Sequence, residues 1–408
     1  MSTTRSIVVV GAGLAGGHAA LALREHGFEG EVTLIGAEPH LPYNRPPLSK
    51  QYLRGEKPLP KLFMKPRETF DDQRIQVLLG RRAMAVDRHG HRVLLADGTE
   101  LAYDKLLLAT GSVPARLDVP GRMLDGVHTL RTIEDADAIG RDAADAETVA
   151  VIGGGWIGSE VAASLRQMGR EVTLITADSR PLQRVLGREV AGIYAGLHAE
   201  HGVRVVPGRV SGLHGRERVE AVDLADGSRI AAQAVVVGIG AAPDLRLARE
   251  AGLATAARGV LADERLRTED PDIFVAGDLA AAWHPIYGRR LRVEHWDNAI
   301  EQGKVAAANL LGGNVSYARR PYFYSDQFDL GMEYRGLAAD VDDVVVSGDP
   351  ESRAFVAFWL EDDRIVAAMN ANVWDAGDAL QALVEAQPRV DRHQLAIHGA
   401  RVAESVAA

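Results

Sequence analysis

The stretch IVVVGAGLAGGHAALALREHGFEGEVTLIGAEP, residues Ile7–Pro39, decides how this chain folds. It begins with a run of β-branched residues, passes through three glycines spaced G-x-G-x-x-G, and continues into a helical pattern and a second apolar run. Strand, glycine turn, helix and strand in this order are typical of a parallel sheet that binds a dinucleotide. Gly11 permits the tight turn, Gly13 lets a pyrophosphate approach the backbone, and Gly16 lets helix and strand pack closely.

The same pattern occurs a second time, as TVAVIGGGWIGSEVAASLRQMGREVTLITADSR in residues Thr148–Arg180. Its glycines are Gly153, Gly155 and Gly158, and in both copies a further glycine closes the helix 16 residues after the first motif glycine. An internal repeat of this length predicts two structural units of the same kind. We therefore expect two bound dinucleotides and electron transfer between them.

Residues at the end of each second strand bear on which nucleotide is bound. Glu38 follows the strand of the first copy, where a carboxylate holds ribose hydroxyls. In the second copy the strand ends at the neutral Thr176, with Asp178 and Arg180 just beyond. An acid there selects a free 2′-hydroxyl, whereas a neutral residue with a nearby arginine accepts a 2′-phosphate, so these residues leave the choice between NADH and NADPH open.

Composition narrows the function classes. The 408 residues predict two or three domains, and the formal net charge of −10 argues against a nucleic-acid binder. No apolar run is long enough to span a membrane, and the short N-terminal run does not resemble a secretory signal, so we expect a soluble, cytoplasmic protein. The absence of cysteine excludes redox disulfides and cysteine-ligated metals. We predict no metal site and expect redox chemistry to belong to a bound cofactor.

The order of strand and helix patterns predicts an α/β fold with two Rossmann-like dinucleotide-binding domains and a C-terminal α+β domain. The first domain is discontinuous and covers residues 1–113 and 245–316. The second, residues 114–244, is inserted into it. From about Tyr317 the pattern changes to antiparallel strands and a helix, which assigns residues 317–408 to the third domain.

Several strings beyond the glycine turns make a family resemblance specific. The chain resembles the pyridine-nucleotide flavoprotein reductases of the glutathione reductase fold, and within them the NAD(P)H-dependent ferredoxin reductases that serve cytochrome P450 and Rieske-type oxygenases. The C-terminal part resembles that family's interface domain more loosely. The strings that carry the resemblance are GAGLAG, PYNRPPLSK, LLLATG, GGGWIGSE, GIGAAPD and TEDPDIFVAGD.

The resemblance implies FAD in the first domain and NADH in the second, with NADPH possible. The residues it implies for FAD are Gly11, Gly13, Leu14, Ala15, Gly16, Glu38, Arg45, Pro47, Lys50, Ala83, Ala109, Thr110, Gly111, Arg131, Gly277, Asp278, Glu294, His295 and Trp296. The residues it implies for the nicotinamide nucleotide are Gly153, Gly155, Trp156, Ile157, Gly158, Glu160, Thr176, Asp178, Arg180 and Gly240.

The resemblance also implies that Lys50 lies beside the flavin N5 edge and pairs with Glu160, and both are candidate catalytic residues. A helix following VEHWDNAIEQ would direct its positive N-terminus at the flavin ring. Trp156 either gates the nicotinamide pocket or packs. Tyr322 and Tyr324 either border the flavin or belong to the core.

We expect an NAD(P)H:ferredoxin oxidoreductase whose partner is a [2Fe–2S] ferredoxin, and a monomer or weak dimer. Two alternatives remain: a cysteine-free quinone, dioxygen or monodehydroascorbate reductase, and a redox-signalling flavoprotein like apoptosis-inducing factor. Because ferredoxins are usually acidic, docking needs a local basic patch. The candidates for that patch are Arg289, Arg290, Arg292, Arg319 and Arg320.

Overall fold

A computed structural model describes residues 4–406 of the chain, with side chains described for residues 4–399. Residues 1–3 and 407–408, which fall at the ends of two predicted domain ranges, lie outside this description. The chain forms two compact units. Among the described residues, the first contains residues 4–45, 59–113 and 241–319, and the second contains residues 46–58, 114–240 and 320–406.

A five-stranded, fully parallel sheet forms the centre of the first unit. In its central strand Val8 pairs with Thr33 on one side and Leu106 on the other. These strands are almost wholly buried, which explains why their sequences are continuous apolar runs rather than alternating ones. In spatial order the strands are Ile273–Val275, Lys105–Leu108, Ser6–Val10, Glu31–Ile35 and Ile75–Leu78.

Two helices of the first unit pack closely because small residues line their contact. A Cβ on Gly303, in helix Trp296–Leu310, would collide with the carbonyl oxygen of Ala15 in helix Leu14–Glu25. The remaining strands are Ala83–Asp87, Arg92–Leu95, Glu100–Ala102, Ser112–Pro114, Ala241–Pro243, Thr255–Ala256, Gly259–Ala262, Ala280–His284 and Arg289–Leu291. The shorter helices are Leu59–Lys61, Arg67–Asp72, Arg246–Glu250 and Gly277–Leu279.

The second unit contains a parallel sheet of the same type. Its strands, in spatial order, are Arg204–Pro207, Glu171–Thr176, Thr148–Ile152, Ala234–Val237 and Val127–Thr129. The helices around it are Pro46–Ser49, Ile133–Asp145, Trp156–Gln167 and Gln183–Glu200. An antiparallel sheet of Val210–Gly215, Val219–Leu224 and Arg229–Ala231 packs beside it. The two parallel sheets confirm the α/β class.

The C-terminal part of the second unit is an antiparallel five-stranded sheet with three helical segments among the described residues, where the change of pattern predicted antiparallel strands and one helix. Its centre is packed with large side chains, among them Phe355, Phe358 and Trp359, none of which has measurable exposure. The strands, in spatial order, are Tyr322–Gln327, Leu330–Gly336, Arg364–Ala371, Ala354–Glu361 and Val344–Asp349. The helices are Trp374–Ala376, Gly377–Ala386 and Arg392–Val406.

The segment Pro46–Pro58 belongs to the second unit although its chain neighbours on both sides belong to the first. Leu53 packs into the core of the second unit, and the Tyr52 hydroxyl donates to Asp137 at 2.9 Å. In the division predicted from the sequence, this segment falls within the first domain, residues 1–113. The contacts that assign this segment to the second unit are made with residues more than 80 positions away in sequence. The local pattern of apolar residues therefore does not distinguish the two assignments.

Candidate functional site

The first glycine turn leaves open space at one of its three glycines. Gly11 has φ +116°, and a Cβ there would collide with the carbonyl of Ala109. A Cβ on Gly16 would collide with the carbonyl of Gly11. Gly13 is different: its φ of −84° suits any residue, and a Cβ would meet no atom of the described chain within 4 Å. The protein itself does not require a glycine at position 13, whereas a group lying against the backbone does.

The helix that follows this turn, Leu14–Glu25, presents its amide groups at the same place. Within the described residues no side chain caps its N-terminus, and its first turn contains no acid. Such a helix end binds phosphate through free N–H groups and the positive end of the helix dipole. The turn and helix therefore fit the diphosphate of FAD, with Leu14 and Ala15 at the first helical positions.

Glu38, beyond the second strand, is held by two neighbouring side chains. Its Oε1 accepts from Arg45 Nη2 at 2.6 Å, and its Oε2 accepts from the Tyr43 hydroxyl at 2.6 Å. The Arg45 side chain is 25% exposed and that of Glu38 29% exposed, so both remain reachable. The structure brings together Glu38 and Arg45, two predicted FAD residues. It adds Tyr43, which sequence reasoning missed because a lone tyrosine in a loop has no pattern.

More FAD candidates lie at the carboxyl ends of neighbouring strands. Ala109, Thr110 and Gly111 follow Lys105–Leu108, while Gly277 and Asp278 follow Ile273–Val275, and these two strands pair in parallel. Ligands of open α/β sheets bind at this edge. Gly277 has φ +75° and donates its N–H to Gln302 at 2.9 Å. Asp278 accepts a 2.7 Å hydrogen bond from Ser112. Neither Ser112 nor Gln302 was predicted.

The helix Trp296–Leu310 begins where the resemblance placed a flavin-directed N-terminus. His295 is its N-cap and accepts from the Asp297 N–H at 3.4 Å. The acid in this first turn would oppose an anion, but Arg319 binds both oxygens of Asp297, at 2.8 and 2.9 Å. The positive end of the helix dipole is therefore not cancelled by the Asp297 carboxylate. Half-buried Trp296 is the first helical residue.

Three further residues predicted to bind FAD, Ala83, Arg131 and Pro47, have contacts within the protein that do not involve the glycine turn. The carbonyl of Ala83, in the first residue of its strand, accepts from Arg246 at 3.0 Å. Arg131 donates its backbone N–H to Asp135 at 2.8 Å, beside the capping box that starts helix Ile133–Asp145. Pro47 lies buried in a short helix. Arg131 and Pro47 fall in the second unit, and their assignment to FAD stays a prediction.

The second glycine turn repeats the geometry of the first. Gly153 has φ +113°, whereas Gly155 has φ −82° and open space where a Cβ would lie. A Cβ on Gly158 would collide with the carbonyl of Gly153. Two apolar side chains are exposed at this end of the sheet, Ile157 at 44% and Ile239 at 40%. Exposed isoleucines beside an open glycine turn fit a binding site for the apolar faces of a nucleotide.

The residues expected near the 2′-position of the nucleotide form hydrogen bonds with other residues of the protein. Asp178 donates its backbone N–H to the Thr176 hydroxyl at 3.3 Å, and its carboxylate accepts from Arg184 at 2.8 Å. Arg180 donates to the carbonyl of Arg188 at 2.7 Å. Sequence reasoning missed Arg184, whose side chain is 72% exposed. Arg180 is thus engaged by a helix carbonyl, and Asp178 presents a negative group near the strand end.

Lys50 and Glu160 form a buried ion pair, as the resemblance implied. The Lys50 ammonium lies 2.9 Å from Glu160 Oε2, and each side chain is 5% exposed. Two serines that sequence reasoning missed complete the shell: Ser49 donates to Oε2 at 2.5 Å and Ser325 to Oε1 at 2.8 Å. Three donors compensate the desolvation of the carboxylate, which a buried pair needs if it is not to be destabilising.

The aromatic residues near this pair have defined partners. The Trp156 ring meets Phe323 edge to face, with centroids 4.9 Å apart. The ring centre of Tyr324 lies 5.2 Å from the Lys50 ammonium, and burial raises the pKa of the Tyr324 hydroxyl. Tyr322 donates to Glu333 at 2.7 Å. Trp156 is therefore packed, and its gating role stays a prediction, as does a flavin contact of either tyrosine.

The five candidate arginines of the basic patch differ in how their charge is used. Arg292 is 12% exposed and binds Glu294 at 2.6 Å, and Arg319 is bound to Asp297. Arg320 donates to the carbonyl of Glu385 at 3.3 Å. Arg289 and Arg290 are exposed, and neither forms an ion pair with a described residue. The positive charge available to a partner is therefore concentrated on Arg289 and Arg290.

From its composition, the chain is predicted to have neither a metal site nor a membrane-spanning segment. Among the residues whose side chains are described, no cluster of three or more His, Asp or Glu side chains is placed to hold a metal ion. No helix within residues 4–406 combines the length and apolar character that crossing a bilayer requires.

Comparisons with known proteins agree with this geometry. Residues 5–303 match the family described as pyridine nucleotide-disulphide oxidoreductase, and residues 322–404 match the family described as reductase C-terminal. The chain is 41% identical over 393 residues to the 5,5′-dehydrodivanillate O-demethylase ferredoxin reductase subunit of Sphingobium sp., an alignment that covers 95% of each protein.

Two solved structures are similar over nearly their whole length. The ferredoxin reductase for the CYP199A2 system from Rhodopseudomonas palustris has a TM-score of 0.93 at 34% identity, covering 98% of this chain and 100% of that one. The covalent putidaredoxin reductase–putidaredoxin complex matches with a TM-score of 0.93 at 35% identity, covering 99% of this chain and 98% of that one.

Proposed function

The chain belongs to the pyridine nucleotide-disulphide oxidoreductase family, and on that premise we propose that it is an FAD-dependent NAD(P)H:ferredoxin oxidoreductase. Its terminal partner system would be a cytochrome P450 or Rieske-type oxygenase. Membership of the family confirms the resemblance drawn from the glycine turns and the RPPLSK string. It also identifies the protein as an oxidoreductase that uses FAD and a nicotinamide nucleotide.

The observation that carries the proposal is the pair of open glycines, Gly13 and Gly155. Each follows a buried parallel strand, begins a helix and has no steric need to be glycine within the described protein. Two equivalent cradles in one chain support two dinucleotides, and a chain without cysteine cannot pass electrons to a redox disulfide of its own. The electron acceptor in this proposal is therefore a separate molecule.

The residues of the first unit would hold FAD by three kinds of contact. The amides after Gly13 would bind the diphosphate, Glu38 the ribose hydroxyls, and Asp278 a ribityl hydroxyl. When bound, FAD accepts two electrons as a hydride from the nicotinamide and releases them singly. The family resemblance assigns Lys50 to the flavin, where it would supply a positive charge, and Glu160, 2.9 Å from its ammonium, would fix the position of that charge. We propose NADH as the preferred donor because Asp178 is the acid nearest the strand end.

We further propose that the partner is a [2Fe–2S] ferredoxin docking at Arg289 and Arg290. The two arginines lie on a strand that pairs with Ala280–His284, where Trp283 is 38% exposed, and Ile286 in the connecting turn is 47% exposed. Exposed apolar side chains beside unpaired arginines suit an acidic protein surface. Arg292, Arg319 and Arg320, whose groups are already bound, would contribute less than the sequence analysis expected.

Steady-state kinetics with purified holoprotein test the proposed function. Cytochrome c reduction is measured with NADH and with NADPH, alone and with a panel of [2Fe–2S] ferredoxins. Strong stimulation by at least one ferredoxin is expected. Equal rates with and without every ferredoxin, together with rapid reduction of quinones, would replace the proposal by a quinone reductase. A slow, long-lived complex of the reduced protein with nucleotide would replace it by a signalling flavoprotein.

A further inference from the structure

Behind the Lys50–Glu160 pair, a series of hydrogen bonds leads to a buried histidine. Ser325, which donates to Glu160, accepts from Gln327 Nε2 at 3.3 Å. The Oε1 atom of the same amide lies 2.9 Å from His198 Nε2. All three side chains belong to the second unit and are at most 1% exposed. Three fully buried polar residues thus connect Glu160 to helix Gln183–Glu200.

The hydrogen bonds have a single direction. Because the Gln327 amide nitrogen donates to Ser325, its oxygen must accept from His198, which therefore carries its proton on Nε2. Burial lowers the pKa of His198 to about 4, so the ring is neutral at physiological pH. Each donor in the series points toward the next residue and finally toward Glu160, the acceptor at the end.

Three secondary-structure elements supply the members of this series. His198 lies on helix Gln183–Glu200, Ser325 and Gln327 lie two residues apart on strand Tyr322–Gln327, and Glu160 lies on helix Trp156–Gln167. The two-residue spacing on the strand places both side chains on the same face of the sheet. Through this series, the position of helix Gln183–Glu200 affects the orientation of the Glu160 carboxylate on helix Trp156–Gln167.

A polar series in a core is not the most stable way to fill that space. Well-packed apolar residues of similar volume are often equally stabilising or better, because burial costs each polar group its hydration. Without Ser325, only the donors on Oε2, Lys50 and Ser49, would hold the Glu160 carboxylate. Glu160 Oε1 would then lack its donor, and the orientation of the carboxylate and of the Lys50 ammonium would be less closely fixed.

We propose that His198 is a positioning residue for the reaction, acting through Gln327 and Ser325 to fix Glu160 and hence the place of the Lys50 charge. The inference deepens the proposed function and rests on it, since the charge matters only when a flavin lies beside Lys50. A fixed cation there stabilises the negative charge of the reduced ring. No proton passes along the series, because an amide separates His198 from Ser325.

Two variants at position 198 test the proposal. His198→Met fills the space without a donor, whereas His198→Gln places an amide N–H near the position of Nε2. We expect His198→Met to slow flavin reduction by NADH in stopped-flow by about tenfold, as a small misplacement of a reacting group does. We also expect it to shift the flavin midpoint potential to more negative values and to leave the dissociation constant for NAD⁺ unchanged. His198→Gln should restore most of the rate and the potential.

Tyr194→Phe is the matched control, because Tyr194 lies on the same helix and its buried hydroxyl has no hydrogen-bond partner among the described residues. It should leave rate and potential unchanged. Equal potentials in wild-type and His198→Met proteins, or equal defects in the Met and Gln variants, would show that His198 only packs and would overturn the proposal.

A double-mutant cycle tests the connection between His198 and Ser325 by a stability measurement that does not depend on enzyme activity. His198→Met and Ser325→Ala should have non-additive effects on the free energy of unfolding measured by urea denaturation, because they break one connected series. Additive effects would count against the connection. Failure of the wild-type protein to bind FAD would refute the proposed function instead, and the cycle would still report on the series.

Discussion

The ammonium nitrogen of Lys50 lies 2.9 Å from a carboxylate oxygen of Glu160, and both side chains are 5% exposed. This pair joins a segment before the second nucleotide fold to the helix that follows its glycine turn. The consequences of that burial are larger than those of the surface ion pairs of this protein.

Removing Lys50 should destabilise the protein strongly. Lys50→Met leaves the Glu160 carboxylate buried without its cation, and we expect the free energy of unfolding to fall by about 3 to 5 kcal/mol. Urea denaturation followed by circular dichroism measures it. Arg67→Met is the control, because it breaks a pair with Asp71 whose side chains are 49% and 57% exposed, and it should cost at most about 1 kcal/mol. Equal losses would contradict the importance of burial.

Substitution of Gly13 should separate cofactor binding from folding. Gly13→Ala adds a Cβ into open space, so the fold should be retained, while FAD affinity should fall by roughly tenfold or more, or about 1.4 kcal/mol. Gly16→Ala forces a Cβ against the Gly11 carbonyl and should reduce stability by about 1 to 3 kcal/mol. The ratio of flavin to protein absorbance and the thermal midpoint distinguish the two effects. Full flavin content in Gly13→Ala would refute the assignment of this glycine.

Gly155→Ala should have the corresponding effect on the second nucleotide. A Cβ there also enters open space, so we expect the dissociation constant for NADH to rise by roughly tenfold while FAD content stays at the wild-type level. Equilibrium titration of the holoprotein measures the constant. A loss of FAD in this variant would mean that the two glycine turns do not serve separate nucleotides.

Coenzyme preference should depend on Asp178. Asp178→Asn removes a negative charge near the 2′-position and releases Arg184, so kcat/KM for NADPH relative to NADH should rise by about tenfold or more. Glu189→Gln, an equal charge change at an exposed position of the neighbouring helix, should leave the ratio unchanged. An unaltered ratio in Asp178→Asn would place the selection elsewhere.

Charge reversal at Arg290 should weaken docking of an acidic ferredoxin. We expect Arg290→Glu to raise the KM for ferredoxin by about tenfold at low salt, and to make it less dependent on ionic strength. Arg258→Glu, at another exposed position of the first unit, makes the same change in net charge and should have little effect. If the two variants had the same salt dependence, the docking site would not include Arg290.

Stability should fall in mild acid because of His198. Burial keeps this ring neutral in the folded protein, with a pKa of about 4, whereas in the unfolded chain it binds a proton near its ordinary pKa of 6.5. Between these values acid favours the unfolded state by about 1.4 kcal/mol per pH unit. Urea unfolding at pH values below 6.5 should show this slope in wild-type protein and a smaller one in His198→Gln. Identical slopes would mean that another group titrates.

Features that depend on a local sequence pattern were predicted from the sequence, whereas residues that act through long-range contacts were not. The turns at Gly11 and Gly153 have a repeated spacing that the backbone geometry requires, so they were found directly. Ser49, Ser325 and Gln327 act through a carboxylate that is distant in sequence, and a lone serine or glutamine has no spacing to detect. Lys50 and Glu160 were found by resemblance to a family rather than from their own residues.

The parallel sheet of the first unit places strand Ile273–Val275 beside Lys105–Leu108, although the whole second nucleotide fold lies between them in the chain. During synthesis, the first sheet must wait with an unpaired edge until the inserted region has left the ribosome. An exposed edge of this kind is open to wrong pairing. The order of segments along the chain therefore lets the inserted fold form before the outer strand of the first sheet can pair.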